Sequence, residues 1–415
     1  TQAKKLPDFS CRGQSSEKLG LRVYPKGQVA LHRKSRRPTR SAGVRAIIAR
    51  CWPHMIFGNL LTCQWWSDTW LDEGFARFIA VRVMYRTKPR WNLGASILHM
   101  IKGLMQETPF FNALKQVPGG DSEPDYDAPQ NDISYTQKRF LLPVAPGSSA
   151  PVLTRHTWDV PLTLISGAFK DDLQAALQAA NRPCWVSSAS EKLPDRCLTI
   201  FTEKPTVVAG TDQTSNFIIA NVQQFGFYRV NYDISNWNRI IRALGAYTSG
   251  ADQRNVLHDV HTRGQLIDDS FNLARADQLG TGNQYEIPLR LINIYLTKEQ
   301  SYGPLASAMD NLRYIDQMLR GTPDYPQFAG YMQNLAGQLY KKSMWETNWK
   351  DSWTTADQES ESSYGTLMFN TLVIETACFY GVSDCLTEAD TRFAAWVARG
   401  KDRAFTADER PPMKI

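Results

Sequence analysis

No run of about 18 apolar residues occurs in this chain of 415 residues, so no segment reads as a transmembrane helix. No secretory leader is recognisable, and the sequence opens at Thr1 rather than Met, as expected for a fragment or processed product. Charge of one sign is also scarce, with a formal net charge of only +6. Much of that excess lies between His32 and Arg40. No aromatic platform or nucleic-acid-binding pattern accompanies the basic stretch, so it is read as a solvated loop or misread sequence, and no nucleic-acid partner is expected. No strict internal repeat is visible either. What remains is an ordinary globular composition, 42% hydrophobic and 21% charged, in a chain long enough for two to three domains.

Apolar periodicity organises the chain. Val44, Ile47, Ile48, Cys51 and Met55 fall at helical spacing and predict a helix over 44–60. A second helix is expected from Asp68 to Met84 and a third over 94–115, where His99 is read as packed or half-exposed rather than as a ligand. Pro118-Gly119-Gly120 opens a turn-rich linker. From Ile133 to Asp233 the pattern changes to short β-type runs at 136–142, 157–162 and 217–222, separated by Pro, Gly and Ser, which suggests a small sandwich. Residues 235–400 read as amphipathic helices with short connections.

The densest chemistry lies between Arg50 and Ala76. His54 is followed by Phe57-Gly58-Asn59, and nineteen positions after His54 comes Glu73, opening Glu73-Gly74-Phe75-Ala76. These strings resemble the gluzincin aminopeptidases of the aminopeptidase N type, whose pattern is His-Glu-x-x-His, eighteen residues, then Glu. Further stretches resemble the same family: Gly226 to Asp233 its closing β-sandwich strand, and Arg263 to Ala274 the start of its C-terminal helical domain. The resemblance implies a multidomain α+β architecture. Residues 1–118 would be a partial, thermolysin-like catalytic domain, 119–234 a β-sandwich, and 235–415 a truncated, solenoid-like α-helical domain. The family's N-terminal β domain is absent from the resemblance, and catalytic-domain segments are expected to be missing between Glu73 and Gly94 and near 116–130.

In the family, two His at i and i+4 and the distal Glu bind zinc, leaving one coordination position open. The Glu beside the first His takes the proton of the zinc-bound water. Here His54 and Glu73 match the second and third ligands, whereas Arg50 stands at the first ligand position and Cys51 at the base. A guanidinium has no lone pair to give a metal. Pro53 costs a helix interior roughly 3 kcal/mol. Glu17 lies 33 residues before Arg50, where the family's amine-binding Glu belongs, although Lys18 replaces the following Asn. The family's oxyanion-stabilising Tyr maps to Trp91, because Gly94-Ala95-Ser96 already closes that motif; Tyr135, which sits near the family separation from Glu73, is read as a strand residue.

The other chemistry-bearing residues read more simply. Trp65, Trp66 and Trp70 are expected to pack as core beneath Glu73. His258 and His261, at i and i+3, lack a supporting carboxylate spacing for a metal site, and Cys51 lacks the partners of a thiol nucleophile. Of seven Cys, Cys378 and Cys385 resemble the disulfide of aminopeptidase N ectodomains, which implies an oxidising compartment. Cys11, Cys51, Cys63, Cys184 and Cys197 carry no assigned pairing, with 184 to 197 conceivable.

Two origins of the altered motif stay open. Trp52-Pro53 is what Leu-Ala codons give when shifted by one nucleotide, so two compensating frame slips would turn His-Glu-Leu-Ala-His into Arg-Cys-Trp-Pro-His. Evolved loss is the alternative, and resequencing codons 48–56 separates them. The resemblance implies Zn2+ as cofactor, peptides with free N-termini as substrates, and an extracellular or outer-membrane-face location, with anchoring through terminal segments outside this chain. Zinc binding is expected to be weak or absent here, and hydrolysis impaired. The alternatives are a non-catalytic binding ectodomain or receptor, and a misassembled fragment.

Overall fold

The computed structural model describes residues 16–18, 21–23, 49, 52–54, 56, 57, 61, 65, 67, 69–87, 134–138, 140, 157–166, 184–186, 190–192, 217–246, 256–348 and 361–398. Contacts divide the chain into two compact units, one formed by 1–93 with 323–415 and the other by 94–322. The described residues are mostly helical, with short strands.

Within 94–322 the strands pair antiparallel, two by two. β3 (Ser134–Thr136) pairs with β7 (Ser190–Lys192), β4 (Val160–Leu162) with β6 (Cys184–Val186), and β5 (Leu164–Ser166) with β8 (Ile218–Ala220). Tyr135 lies in β3 opposite Glu191, a strand residue as expected. The run predicted over 136–142 leaves the ladder at Gln137, and the reason is a side chain. The Gln137 amide donates to the Trp158 and Val186 carbonyls (2.8 and 3.1 Å) and accepts from Trp158 N (2.9 Å), replacing main-chain pairing. Leu164, Val186 and Ala220 form a small buried cluster, and Tyr135, Val160, Leu162, Ile218, Val230 and Tyr232 pack against it. Burial holds the Tyr228 and Tyr232 hydroxyls well above their ordinary pKa. Tyr228 donates to the Pro161 carbonyl (2.9 Å) and Tyr232 accepts from Ala220 N (3.0 Å).

After β8 the chain turns through left-handed backbone at Asn221 (φ 55°), Gln223 (φ 58°) and Gln224 (φ 52°). Asn tolerates this region; Gln does so at a cost, which the surroundings must offset. The buried Asn221 side chain holds the turn. Its Oδ1 accepts from Gly226 N (2.6 Å), and its Nδ2 donates to the Gly226 and Tyr228 carbonyls (3.0 and 3.2 Å). Val222 N donates to Thr163 Oγ1 (3.0 Å) and Gln223 Nε2 to Asp259 Oδ1 (3.3 Å). Asn221→Ala therefore strands buried groups and removes the residue best suited to φ > 0. It should lower unfolding free energy by about 2–3 kcal/mol in urea titration, and a change under 0.5 kcal/mol would refute this role.

α2 (Ile234–Gly245) begins at Asp233, whose carboxylate accepts from Asn236 N (2.9 Å) as a cap. It buries Trp237, Ile240, Ile241 and Leu244 at i, i+3, i+4 and i+7. α3 (Val260–Arg275), capped by Asp259 through Thr262 N (2.7 Å), is enclosed on most sides. It packs against α4 (Glu286–Tyr295) and α5 (Tyr302–Leu319). Its buried charged residues meet specific partners. Arg263 pairs with Glu299, and Asp269 accepts from Val230 N (3.0 Å) and Arg229 (2.9 Å). Burial pushes the Asp269 carboxyl up to about 7, and Asp268, sharing the same guanidinium at 2.6 Å, adds to the rise; Val230 N–H and Arg229 oppose it.

In the other unit, β1 (Ser16–Lys18) pairs antiparallel with β2 (Leu21–Val23), and α1 spans Thr69–Thr87. α6 (Tyr325–Leu339), α7 (Ser343–Asn348) and α9 (Ser383–Ala398) all pack on α8 (Glu361–Phe379). α8 ends at a left-handed Gly381 (φ 78°), with Val382 N donating to the Ala377 carbonyl (2.9 Å). That reversal brings Cys378 to Cys385, and the two sulfurs are bonded at 2.06 Å. Lys342 and Arg392 both pair with the carboxylate of Glu388 (3.0 and 2.8 Å), and Arg392 lies over the Trp345 ring (5.3 Å).

Two expectations are corrected here. The helix predicted over 44–60 is helical at Ala49 and Trp52–His54, but the chain turns at Ile56 and bridges Phe57 to Leu61. Both Ile56 N and Phe57 N donate to the Pro53 carbonyl (2.9 and 2.8 Å), a bifurcated arrangement that tightens and closes the last turn. Trp65, expected in the core, is 65% exposed. The side chains of Trp66 and Trp70, and residues 94–115 with His99 and Trp91, lie outside the described residues.

Candidate functional site

The site expected from the sequence rests on two segments of one unit. His54 ends the helical turn Trp52–His54, and Glu73 lies in the first half of α1. The structure brings these two together: His54 Nε2 stands 3.6 Å from Glu73 Oε1. His54 is nearly buried (13% of its side chain exposed) and Glu73 is open (45%). The other imidazole nitrogen, Nδ1, lies 3.3 Å from the Phe57 carbonyl. With Nδ1–H donating there, Nε2 of the neutral ring is left with its lone pair towards the carboxylate. Phe57 in turn stacks on Phe75 of α1, centroids 4.7 Å apart and planes at 22°.

Two zinc ligands at about 2.0–2.1 Å and a tetrahedral angle stand about 3.3–3.4 Å apart. The 3.6 Å between His54 and Glu73 is close to that value and is longer than a direct hydrogen bond. The donor chemistry decides how far the pair can go as a metal site. Arg50, which the resemblance places at the first ligand position, carries no lone pair, so the set falls one donor short of the three that a catalytic zinc needs. These residues do not fit the three-ligand site. Among the described residues, no group of three or more His, Cys, Asp or Glu could hold a metal ion.

The remaining candidates are distributed as follows. Glu17 lies in β1 opposite Arg22, and its side chain is outside the described residues, as are Arg50 and Cys51. His258 closes a short 3-10 turn and His261 lies in the first turn of α3. Burial lowers the His261 pKa, partly offset by Asp259. Sequence reasoning missed the Phe57–Phe75 contact. Both rings sit inside the strings that carried the resemblance, but their mutual contact has no signature in spacing.

Comparison with known proteins bears on the whole chain. The model of the Peptidase family M1 domain matches residues 4–118, and that of the ERAP1-like C-terminal domain matches residues 217–413. Aminopeptidase Ey from Gallus gallus is 23% identical, covering 94% of this chain and 45% of its own length. Aminopeptidase N from Bos taurus is also 23% identical, with 94% and 45% covered. For thyrotropin-releasing hormone-degrading ectoenzyme from Mus musculus the values are 23%, 93% and 41%. The chain thus spans less than half the length of these relatives. The aligned span with the Bos taurus protein runs to 482 positions, more than the chain's 415 residues, so the relative carries internal segments that this chain lacks. Two domain matches in family order, with aminopeptidases aligned along nearly the whole chain, establish that this chain belongs to the M1 peptidase family of aminopeptidases.

Proposed function

We propose that this chain descends from a zinc-dependent aminopeptidase that removes N-terminal residues from peptides, and that as written it does not perform that reaction. One observation carries the reading: His54 and Glu73 meet at 3.6 Å as two donors, while the position that should supply the third donor holds Arg50. Cys51 at the base position has no carboxylate to accept a proton from water. In an intact site zinc would polarise the scissile carbonyl and activate water. What this chain's own residues can do is narrower. His54 and Glu73 can hold one another or a weakly bound cation, and Glu17 can pair with a peptide's free α-ammonium group.

The purified chain should contain substoichiometric zinc and should leave aminoacyl-nitroanilides intact. One tightly bound zinc per chain with chelator-sensitive turnover would overturn the proposal.

A second reading, a non-catalytic ectodomain that binds peptides or other partners, is favoured over a misassembled fragment by a paired buried charge and a formed disulfide. The Arg263–Glu299 pair is enclosed, and the Cys378–Cys385 bond suits an extracellular or outer-face location. On this reading residues 1–118 are the partial catalytic domain, 119–234 a β-sandwich and 235–415 a helical domain. No described helix is long and apolar enough to cross a membrane, so any anchor would lie outside those helices. Cooperative thermal unfolding by circular dichroism supports the ectodomain, and a melt without a transition supports the fragment.

A further inference from the structure

We propose that the stacked Phe57 and Phe75 rings form a positioning clamp that holds the His54 imidazole beside the Glu73 carboxylate; this rests on the paired-donor reading above. His54 and Glu73 approach to 3.6 Å, and a ring contact lies beside that approach. Phe57 lies three residues after His54 and Phe75 two residues after Glu73, so each ring is anchored beside one member of the pair. The rings stack at 4.7 Å, a geometry worth about 0.5–1.5 kcal/mol beyond the apolar area it buries.

The clamp acts on orientation as well as distance. Two residues apart on a helix, Glu73 and Phe75 project about 160° from one another. The 54–57 segment therefore grips α1 at two well-separated points of its circumference, one through His54 and one through Phe57. Rotation of α1 that would swing the carboxylate away also breaks the ring stack. The same residue that stacks also orients the imidazole, because the Phe57 carbonyl lies 3.3 Å from His54 Nδ1. The tight turn that presents Phe57 is closed by Ile56 N and Phe57 N on the Pro53 carbonyl.

The test uses the full chain and Cu2+ alone as probe, since copper binds imidazole and carboxylate donors more tightly than zinc does. Electron paramagnetic resonance titration should show a copper site that is lost in His54→Ala. Phe75→Ala should weaken that site 10- to 100-fold, the range found when groups that orient a ligand are removed. Phe75→Tyr should restore it. Phe75→Leu, which keeps apolar volume but loses the ring face, should resemble Phe75→Ala and covers the case in which the alanine variant fails to fold. A metal-free measurement stands beside it: nuclear cross-relaxation between the His54 ring and the Glu73 side chain should be present in the unaltered chain and in Phe75→Tyr, and absent in Phe75→Leu. Persistence of that cross-relaxation in Phe75→Leu overturns the clamp. If His54→Ala binds Cu2+ like the unaltered chain, the paired donors fail as a metal site, and the clamp is judged on the cross-relaxation alone.

Discussion

Glu299→Ala should be the most damaging single truncation in the helical part of 94–322, lowering unfolding free energy by about 3–5 kcal/mol. The side chains of Arg263 and Glu299 are 2% and 1% exposed, so neither charge can turn to water for compensation. They meet as a fork: Nε donates to Oε2 (2.9 Å) and Nη2 to Oε1 (3.1 Å). The remaining hydrogen-bonding capacity is filled locally. Arg263 Nη1 donates to the Leu257 and His258 carbonyls (3.0 and 2.7 Å), and Glu299 Oε1 accepts from Gln300 N and Ser301 N (2.9 and 2.8 Å). Removing the carboxylate leaves a guanidinium buried without its counter-charge. Removing both charges should cost far less, because the desolvation each ion suffers disappears with it. Arg263→Met with Glu299→Leu should therefore retain most of the stability that Glu299→Ala alone loses. Urea unfolding of the three chains checks this. A loss below about 1 kcal/mol for Glu299→Ala would mean that the pair is not enclosed.

Restoring the zinc motif should separate metal binding from catalysis. Arg50→His, Cys51→Glu and Pro53→Ala together rebuild the i, i+4 ligand pair, supply the base, and relieve the helix of roughly 3 kcal/mol. With His54 and Glu73 already adjacent, the expected result is a rise from substoichiometric zinc to about one zinc per chain by atomic absorption. Turnover of aminoacyl-nitroanilides should stay at background, because Trp91 stands where the resemblance places the oxyanion-stabilising Tyr and cannot donate a hydroxyl proton. No gain in zinc would mean that the 3.6 Å contact is an ion pair unrelated to ligation. Zinc gained together with chelator-sensitive turnover would show that Trp91 does not occupy the Tyr position, or that the reaction proceeds without it.

Several parts of the architecture are legible in the sequence alone. The helix carrying Glu73 was expected from Asp68 to Met84 and runs over Thr69–Thr87. The amphipathic helices expected over 235–400 include α2, which runs over Ile234–Gly245. Such signals are local, since an apolar stripe acts within three turns. The failures came where a side chain displaced the main-chain pattern. Gln137 ends β3 by taking hydrogen bonds from two other segments, and a β-type run of residues carries no mark of that. Trp65 was expected in the core from its size, and its exposure depends on which neighbours the fold brings against it. At 44–60 the apolar periodicity outran the helix, because the bifurcated bonds to Pro53 close the last turn before Phe57.

The family resemblance, and with it the pairing proposed for His54 and Glu73, was readable in the chain as letters. Ligand spacing is a property of order along the chain, and His54, Glu73 and the strings beside them keep that order even where Arg50 and Cys51 break the chemistry. The contacts that hold the protein together were not readable in this way. Arg263 finds Glu299 across 36 residues, Arg229 finds Asp268 and Asp269 across about 40, and Phe57 finds Phe75. Each pairing is one of many that the composition allows. It becomes the favoured one only when packing removes water from both partners, because a buried charge or polar group must then be met by the neighbour the fold supplies.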